Sequence, residues 1–434
     1  MKMLIQGGRV IDPSQELDEI TDVLIEDGRI QAIERIPTPI HDLDETVDAS
    51  GWIVAPGFID MHVHLREPGR EDKETVASGA RAAIAGGFTS VMCMPNTSPV
   101  NDNEAITRFV LSQARKAGCA NVFPAGAVTV GSRGQELAEI GEMVKAGAVA
   151  ISDDGNPIDN NQMMRRAMEY ARIFDIPVID HCEDRELAAG GCMNEGRVST
   201  RLGLPGMSRT AEEMDVVRDL ILSRETRSRA HIAHLSTEES LDWIRLAKQR
   251  EIRLTCEVTP HHFILSDEDI TDYDTNFKMN PPLRETRDVD AMLAGLADGS
   301  IDCIATDHAP HTSLEKDTTF MEAANGILGL ESALSLCWHF LVAKEVLSPR
   351  RLIELFSCNP SRILRLDRGT LKKGAIADLT LLDPSLKVEI DRNRFHSKSR
   401  NTPFHGWKLQ GGPAMTIVGG EIVFAHGEVR PVPG

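Results

Sequence analysis

Two histidines, one residue apart, end an apolar run near the start of the chain. His62 and His64 lie in the stretch Gly57-Phe58-Ile59-Asp60-Met61-His62-Val63-His64-Leu65-Arg66. Because a β-strand alternates its side chains between two faces, both imidazoles are expected to point to the same side. Paired imidazoles are ligands that zinc accepts. Two histidines without further ligands are more often structural than metal-binding, so a metal site requires additional ligands elsewhere in the chain.

Further side chains of ligand type follow other apolar runs downstream. They are Asp153 or Asp154, His181, His234 and Asp307. With the first two histidines they make four imidazoles and two carboxylates. A single catalytic zinc takes three protein ligands and leaves one position for water, so six ligands predict two metal ions that share a carboxylate. Spacing alone does not decide which of the two adjacent aspartates is shared.

The elements that must position these side chains are eight short apolar runs, which alternate with amphipathic segments. Buried parallel strands joined by crossover helices have this pattern. The predicted strands span residues 58–64, 89–94, 122–128, 148–152, 177–181, 230–234, 253–258 and 301–306. The predicted helices between them include 71–85, 103–117, 135–146, 162–174, 211–223 and 238–250.

The fold class is therefore α/β, and the number of units favours a TIM (β/α)8 barrel. Eight β/α units over roughly 300 residues match the size of that fold, in which chemistry collects at the carboxyl ends of the strands. Every candidate ligand lies at or just after a predicted strand end. A doubly wound open sheet is the alternative, but its ligand crevice draws on fewer strand ends.

Both ends of the chain carry strand patterns instead. Residues 1–56 break at Gly7-Gly8, Asp12-Pro13 and Asp27-Gly28, and the last of these predicts a hairpin. Strand patterns return after about residue 371, with a two-residue turn at Gly419-Gly420. Because chain ends often lie close together, we expect residues 1–56 and 366–434 to form one composite β-sandwich domain beside a barrel of residues 57–365.

Composition and charge exclude several classes of partner. The formal net charge is −19 and basic runs are absent, which argues against nucleic acid and anionic membranes. The eight cysteines show no CxxC spacing and mostly lie in apolar runs, as reduced buried thiols do. The start of the chain is too short and polar for a signal peptide, and no apolar run reaches the ~20 residues of a membrane span. We expect a cytoplasmic protein.

The chain resembles the class I dihydroorotases of the amidohydrolase superfamily over essentially its whole length. The matching blocks are Asp60-Met61-His62-Val63-His64-Leu65-Arg66-Glu67-Pro68-Gly69, Met94-Pro95-Asn96-Thr97, Ser152-Asp153-Asp154-Gly155, His181-Cys182-Glu183-Asp184, Ile232-Ala233-His234-Leu235-Ser236, Glu257-Val258-Thr259-Pro260-His261-His262, Lys278-Met279-Asn280-Pro281-Pro282-Leu283-Arg284 and Ala305-Thr306-Asp307-His308-Ala309-Pro310-His311. They occur in the order typical of the family, which makes the resemblance specific.

The resemblance implies two zinc ions per subunit. His62, His64 and Asp307 would hold one ion, and His181 and His234 the second. For the shared carboxylate we select Asp154 from its spacing to His181, with Asp153 as the alternative. Affinity order alone does not select zinc, so another divalent metal remains an alternative at such a site.

The resemblance also implies a set of substrate contacts. They are His64, Arg66, Asn96, Asn280, His311, Asn325 and Gly326. Arg66 offers the planar fork that suits a carboxylate, and Asn280 can pair with a ring amide. The polar segment from His311 to Asn325 is a candidate loop over the site. The family usually has an apolar residue before this glycine, whereas this chain has Asn325.

The implied reaction is the reversible cyclisation of N-carbamoyl-L-aspartate to L-dihydroorotate in pyrimidine biosynthesis. Written as hydrolysis of a cyclic amide, it needs activated water and a group that moves a proton to the leaving nitrogen. Metals lower the pKa of water, and Asp307 is the candidate for proton transfer. Ring opening creates a carboxylate and releases a proton, so alkaline pH should favour hydrolysis and lower pH the cyclisation.

Two alternatives compete with this interpretation. Allantoinases and dihydropyrimidinases resemble the chain but are expected to carry a carboxylated lysine at the fourth strand, where this chain has Ser152-Asp153-Asp154-Gly155 and Lys145 lies upstream. A non-catalytic scaffold for aspartate carbamoyltransferase would be expected to lack metal ligands, and all are present here. The sequence leaves open a homodimer and an association of an active enzyme with aspartate carbamoyltransferase.

Overall fold

The computed structural model describes residues 1–37 and 42–430, and its first strands come from the amino-terminal end of the chain. They are β1 (Lys2–Asp12), β2 (Leu17–Glu26), β3 (Arg29–Ile33), β4 (Glu45–Asp48) and β5 (Ile53–Pro56). The predicted hairpin is confirmed, because β2 and β3 pair antiparallel across Asp27 and Gly28, which both have positive φ.

The predicted break at Gly7-Gly8 is wrong. The strand β1 runs through it with a shift of register between Ile5 and Gly8. A Cβ atom at Gly8 would lie 2.6 Å from Cγ2 of Val54, so this glycine permits a close approach of two strands rather than a turn. The short strand β4, which pairs parallel with β1, had not been predicted.

The barrel follows, with every one of the eight predicted strands present. Its strands are β6 (Phe58–Val63), β7 (Phe88–Cys93), β8 (Asn121–Gly126), β9 (Ala150–Ile151), β10 (Pro177–Asp180), β13 (Arg229–Ile232), β14 (Leu254–Val258) and β15 (Cys303–Ile304), and the small pair β11 (Met193–Asn194) and β12 (Gly206–Met207) lies outside it. The eight barrel strands pair in sequence order from β6 to β15, without β11 and β12. A bridge between Val63 and His308, with the amide of His64 donating to the His308 carbonyl at 2.9 Å, closes the sheet.

Helices connect the strands, mostly within a few residues of the predicted bounds. They are α1 (Val76–Ala85), α2 (Glu104–Ala117), α3 (Ile140–Ala146), α4 (Asn161–Phe174), α5 (Arg185–Ala188), α6 (Arg197–Leu202), α7 (Thr210–Thr226), α8 (Glu238–Gln249), α9 (Pro260–Ile264), α10 (Thr286–Asp298), α11 (Ser313–Lys316), α12 (Ala333–Cys337), α13 (Pro349–Ile353) and α14 (Asn359–Leu364). The helix α1 begins later than predicted because Thr75 and Ser78 form a capping box there.

The carboxyl-terminal strands complete the first sheet. They are β16 (Leu379–Glu389), β17 (Lys408–Val418), β18 (Glu421–Ala425) and β19 (Glu428–Val429). The strand β16 pairs antiparallel with β5, so the sheet runs β19-β18-β17-β16-β5-β1-β2-β3 with β4 beside β1. The predicted composite sheet from both chain ends and the Gly419-Gly420 turn are thereby confirmed.

Several apolar clusters among the described residues support this architecture, and the largest packs the barrel strands against the surrounding helices. Another lies in the composite sheet and includes Ile25, Leu379 and Ile417. A third cluster takes side chains from six barrel strands, namely Met61, Met92, Ala125, Ala150, Ile179 and Cys303. All eight cysteines are free thiols, as expected. No helix within the described ranges has both the length and the apolar character that crossing a bilayer requires.

Candidate metal centre

The strand ends of the barrel bring the predicted ligands into one buried cluster. His62 belongs to β6 and His64 follows it, while His234 and Asp307 follow β13 and β15. Three non-glycine residues here have positive φ, namely Arg66 (61°), His234 (32°) and Asp307 (47°). Strained backbone of this kind persists only where the surroundings fix it, and it concentrates at functional sites.

Asp154 lies at the centre of the cluster. Its carboxylate oxygens lie 3.3 Å from Nε2 of His62, 3.6 Å from Nε2 of His64, 3.7 Å from Nε2 of His234 and 3.9 Å from Nδ1 of His181. Burial alone would raise the pKa of Asp154, but these imidazoles, His62 foremost, hold it well below its usual range. The structure therefore turns this carboxylate, rather than that of its neighbour, toward the histidines.

Asp153 points the other way. Its Oδ1 accepts hydrogen bonds from the backbone amides of Val128 (2.8 Å) and Thr129 (3.1 Å), and its Oδ2 accepts one from the Thr129 hydroxyl. These bonds fasten the end of β8 to the end of β9. Asp154 therefore faces the cluster, whereas Asp153 supports the backbone beneath it.

Asp307 faces the first pair of histidines. Its Oδ1 lies 3.0 Å from Nε2 of His64 and 3.6 Å from Nε2 of His62. On its other ring nitrogen, Nδ1 of His64 lies 2.9 Å from Oδ1 of Asn96, an amide oxygen that accepts a hydrogen bond. Burial would raise the pKa of Asp307, but the bond from His64 and the charge of His62 hold it far below its usual range.

Glu257 was not assigned a role from the sequence, although it begins one of the matching blocks. Its fully buried carboxylate accepts from Nδ1 of His62 at 2.6 Å and from Nε2 of His231 at 3.2 Å. Although burial opposes it, His62 and then His231 lower the pKa of Glu257 to about 2. A carboxylate behind a histidine fixes its tautomer and leaves Nε2 free to ligate a metal.

The second pair of histidines is held from the opposite side. Nδ1 of His181 and Nε2 of His234 lie 2.9 Å apart, and both face Asp154. On its other edge His181 reaches Oε2 of Glu183 at 3.4 Å, which also accepts from Nδ2 of Asn280 at 2.6 Å. Glu183 was missed from the sequence because nothing local shows that its side chain turns back toward the preceding histidine.

The donor atoms of this cluster suit a metal ion. Nε2 of His62 and Oδ1 of Asp154 are buried and have no hydrogen-bond partner among the described residues. Ligand atoms of His62, His64 and Asp307 lie within 4.8 Å of one another, and so do those of His62, Asp154 and His234. Atoms that share one tetrahedral zinc at 2.0–2.1 Å are separated by about 3.3 Å, close to the separations observed here.

A polar pocket of about 230 Å³ opens above the cluster. Its wall contains all the predicted substrate contacts, which are His64, Arg66, Asn96, Asn280, His311, Asn325 and Gly326. Oδ1 of Asn280 is buried without a hydrogen-bond partner in the described chain, so it can accept from a ligand N–H. The small volume and the polar wall favour a compact ligand with several hydrogen-bonding groups.

Arg66 supplies the cation of this pocket. Its Nε donates to the carbonyl of Pro310 at 3.2 Å, and its Nη2 lies 3.4 Å from Nε2 of His311. Burial lowers the pKa of Arg66 to about 10, so the guanidinium stays charged at neutral pH. Across residues 1–37 and 42–430 it forms no ion pair with a carboxylate.

The loop from His311 to Gly326 closes one side of the pocket. Nε2 of His311 donates to the carbonyl of Asn325 at 2.8 Å, and burial, with the nearby charge of Arg66, lowers the pKa of His311 to about 3. His311 is therefore neutral. Gly326 has a φ of 148°, and a Cβ atom there would lie 2.8 Å from the carbonyl oxygen of Ala309, so glycine is required.

In the described chain, His261, His262 and the upstream Lys145 make no hydrogen bond or ion pair with the candidate ligands. His262 bridges the hydroxyl of Thr259 (2.8 Å) and the carbonyl of Pro281 (3.0 Å), so it supports the segment that carries Asn280. No hydrogen bond joins either His261 or His262 to a candidate ligand in the described chain. Lys145 lies on the surface of α3, where it pairs with Glu142, far from a bridging position.

The chain is similar to known proteins over nearly its whole length. Residues 51–240 match the family model described as dihydro-orotase-like. A dihydroorotase from Geobacter metallireducens is 53% identical over 98% of this chain and all of its own length, and one from Pelobacter propionicus is 54% identical with the same coverage.

The solved structures of similar fold include an L-hydantoinase (dihydropyrimidinase) from Arthrobacter aurescens. It has a TM-score of 0.88 and 24% identity, with 99% of this chain and 97% of that chain covered, which establishes the shared fold. The full-length identity to curated relatives goes further, since more than half of all residues are shared. The chain belongs to the dihydroorotase family.

Proposed function

We propose that the chain is a class I dihydroorotase that interconverts N-carbamoyl-L-aspartate and L-dihydroorotate with two zinc ions per subunit. The observation that carries the substrate assignment is Arg66, a guanidinium in the pocket wall without a carboxylate partner in the described chain. Dihydroorotate brings a carboxylate, whereas allantoin and dihydrouracil do not. A neutral substrate would leave this half-buried charge without an anion, which is costly.

We propose that His62, His64 and Asp307 hold one zinc ion and that His181 and His234 hold the second. Asp154 would bridge the two, since its carboxylate faces all four imidazoles. Zinc bound there would lower the pKa of water to about 7 and polarise the ring carbonyl.

The chain's own groups supply binding and proton transfer. The Arg66 fork binds the substrate carboxylate, and Oδ1 of Asn280 accepts from a ring N–H. During ring opening, as the C–N bond breaks, Asp307 takes a proton from the attacking water on a carboxylate oxygen and passes it to the leaving nitrogen; ring closure runs the same steps in reverse. With Oδ1 of Asn96 directed at His64, its amide nitrogen remains as a donor to the substrate.

The experiment pairs a metal count with a substrate comparison on one preparation. We expect about two zinc ions per chain, turnover of L-dihydroorotate at alkaline pH, and no comparable turnover of allantoin or dihydrouracil. Metal without dihydroorotate turnover would assign the chain to another cyclic amidohydrolase activity. The absence of both metal and turnover would support the scaffold alternative. Size-exclusion chromatography with and without aspartate carbamoyltransferase tests the homodimer and the complex.

Substitution of Arg66 tests the role of the carboxylate. Loss of one partner from a buried charge pair costs about 2–5 kcal/mol, roughly 30- to 4,000-fold, so Arg66→Ala should lower kcat/KM for dihydroorotate by that factor and leave the zinc content unchanged. The matched control is Arg70→Ala, which removes an exposed arginine four residues away. Equal activity of Arg66→Ala and Arg70→Ala would refute the substrate assignment.

A further inference from the structure

Lys316 is a buried lysine without a counter-ion close to the pocket, and burial lowers the pKa of its ammonium group to about 7. It ends α11, and only 7% of the residue is exposed. Among the described residues, no carboxylate forms an ion pair with its ammonium group. Buried charges are retained only when other polar groups compensate for the lost hydration. The groups that compensate this charge therefore indicate what it does.

Three backbone carbonyls surround the ammonium. Nζ of Lys316 donates to the carbonyl of Ala324 at 2.9 Å and to those of Lys278 and Gly326 at 3.2 Å each. An ammonium has three N–H donors, so all of them are used by carbonyls. The three acceptors belong to two chain segments that meet only in the folded protein, one before Asn280 and the other at the end of the loop.

These segments form one wall of the pocket. The amide of Gly326 donates to the carbonyl of Lys278 at 3.0 Å, and the amide of Ala324 to the carbonyl of Glu315 at 3.0 Å. Asn280 lies two residues beyond Lys278, while Asn325 lies between the two loop carbonyls that Lys316 binds. Any movement of the ammonium would therefore shift both sides of this wall.

We propose that Lys316 is a positioning residue that clamps residues 324–326 against the segment of Lys278, and so holds the wall made by Asn280, Asn325 and Gly326 in its substrate-binding form. The inference about substrate rests on the proposed function, whereas the clamp itself does not. Lys316 touches neither the candidate ligands nor the pocket interior, so its effect is on binding rather than on the chemical step.

The test uses the full-length, zinc-loaded protein with Lys316→Met, which keeps the length of the side chain but removes its donors. Lys316→Arg retains donors and charge. The matched control is Lys278→Met, because Lys278 is equally buried but its Nζ donates only to the carbonyl of Met321, outside residues 324–326. Amide hydrogen exchange of Ala324 and Gly326 is measured by mass spectrometry, and steady-state kinetics are measured with dihydroorotate.

We expect Lys316→Met to raise the amide exchange rates of residues 324 and 326 by at least ~10-fold, the equivalent of one net hydrogen bond to a charged group. The KM for dihydroorotate should rise by a similar factor. The value of kcat should change much less, Lys316→Arg should recover part of the loss, and Lys278→Met should leave these amides as in the wild type. Amides of β17 should not change in any variant.

Unchanged exchange in Lys316→Met would overturn the clamp, even if the wild type turns over dihydroorotate as proposed. A fall in kcat with unchanged KM would overturn the positioning role, because it would assign Lys316 to the chemical step. If the wild type shows no dihydroorotate turnover, the exchange measurement still decides the clamp. If Lys316→Met does not fold, the same exchange and kinetic measurements compare the wild type with Lys316→Gln, which keeps two N–H donors on a shorter side chain.

Discussion

Asp153 and Asp154 are adjacent in the sequence but face different surroundings, and alanine at each should separate metal binding from stability. The Asp154 carboxylate faces four imidazoles and accepts no hydrogen bond within the described chain. The Asp153 carboxylate accepts from the amides of Val128 and Thr129. We expect Asp154→Ala to lose metal and Asp153→Ala to lose stability.

The magnitude for Asp153→Ala follows from the groups that it would leave unpaired. Two backbone N–H donors lose their acceptor, and an unsatisfied buried donor costs about 1–3 kcal/mol. The substitution should therefore lower the free energy of unfolding by about 2–6 kcal/mol. Asp154→Ala leaves no backbone donor unpaired, and its main effect should be on the metal, because the four imidazoles lose the carboxylate that faces them. Its loss of zinc affinity should exceed the ~10- to 100-fold that follows loss of a supporting residue.

Two measurements separate the effects. Zinc per chain is counted after dialysis against zinc-limited buffer, and urea unfolding of the metal-free proteins is followed by tryptophan fluorescence. The expected pattern is normal zinc with a lower urea midpoint for Asp153→Ala, and little zinc for Asp154→Ala. The reverse pattern, with zinc lost only from Asp153→Ala, would refute the assignment of the bridging ligand.

Two further predictions concern side chains outside the pocket. Glu257→Gln should weaken zinc binding by ~10- to 100-fold, because His62 loses the carboxylate that orients it; competition with a chelator measures this, and an unchanged affinity would contradict the supporting role. For Glu315, burial would raise the pKa, but the ion pair with Lys73 and the Thr312 amide lower it to about 2. Since this pKa lies below the ordinary value of about 4.3, the stabilisation should be complete above that pH and disappear as pH falls toward 2. Urea unfolding between pH 6 and 3 should show the stability difference between wild type and Glu315→Gln narrowing with acid; a constant difference would exclude the ion pair as its source.

Local sequence patterns were sufficient to predict most elements of the fold. The eight barrel strands and the hairpin at Asp27-Gly28 were predicted because apolar runs and turn residues act over a few neighbouring positions. Two strands, β9 and β15, are shorter than predicted. The pairing of β5 with β16 joins segments more than 300 residues apart. It was anticipated only in outline, because no local pattern encodes a partner strand.

The sequence by itself determined which residue types meet at the mouth of the barrel. His62 and His64 share a face because a strand has a period of two, and the other candidate ligands follow strand ends that a parallel barrel gathers on one side. The resemblance to the dihydroorotase family follows from the same information, since the matching blocks run in family order from Asp60 to His311.

Only the tertiary structure decided how each of these side chains is used. The backbone after a strand end sets whether Asp153 or Asp154 faces the imidazoles. Glu257 and Lys316 act on partners that are distant in the chain, His62 for the first and the carbonyl of Lys278 for the second. Such contacts depend on burial and on the approach of separate segments, which spacing along the chain does not specify.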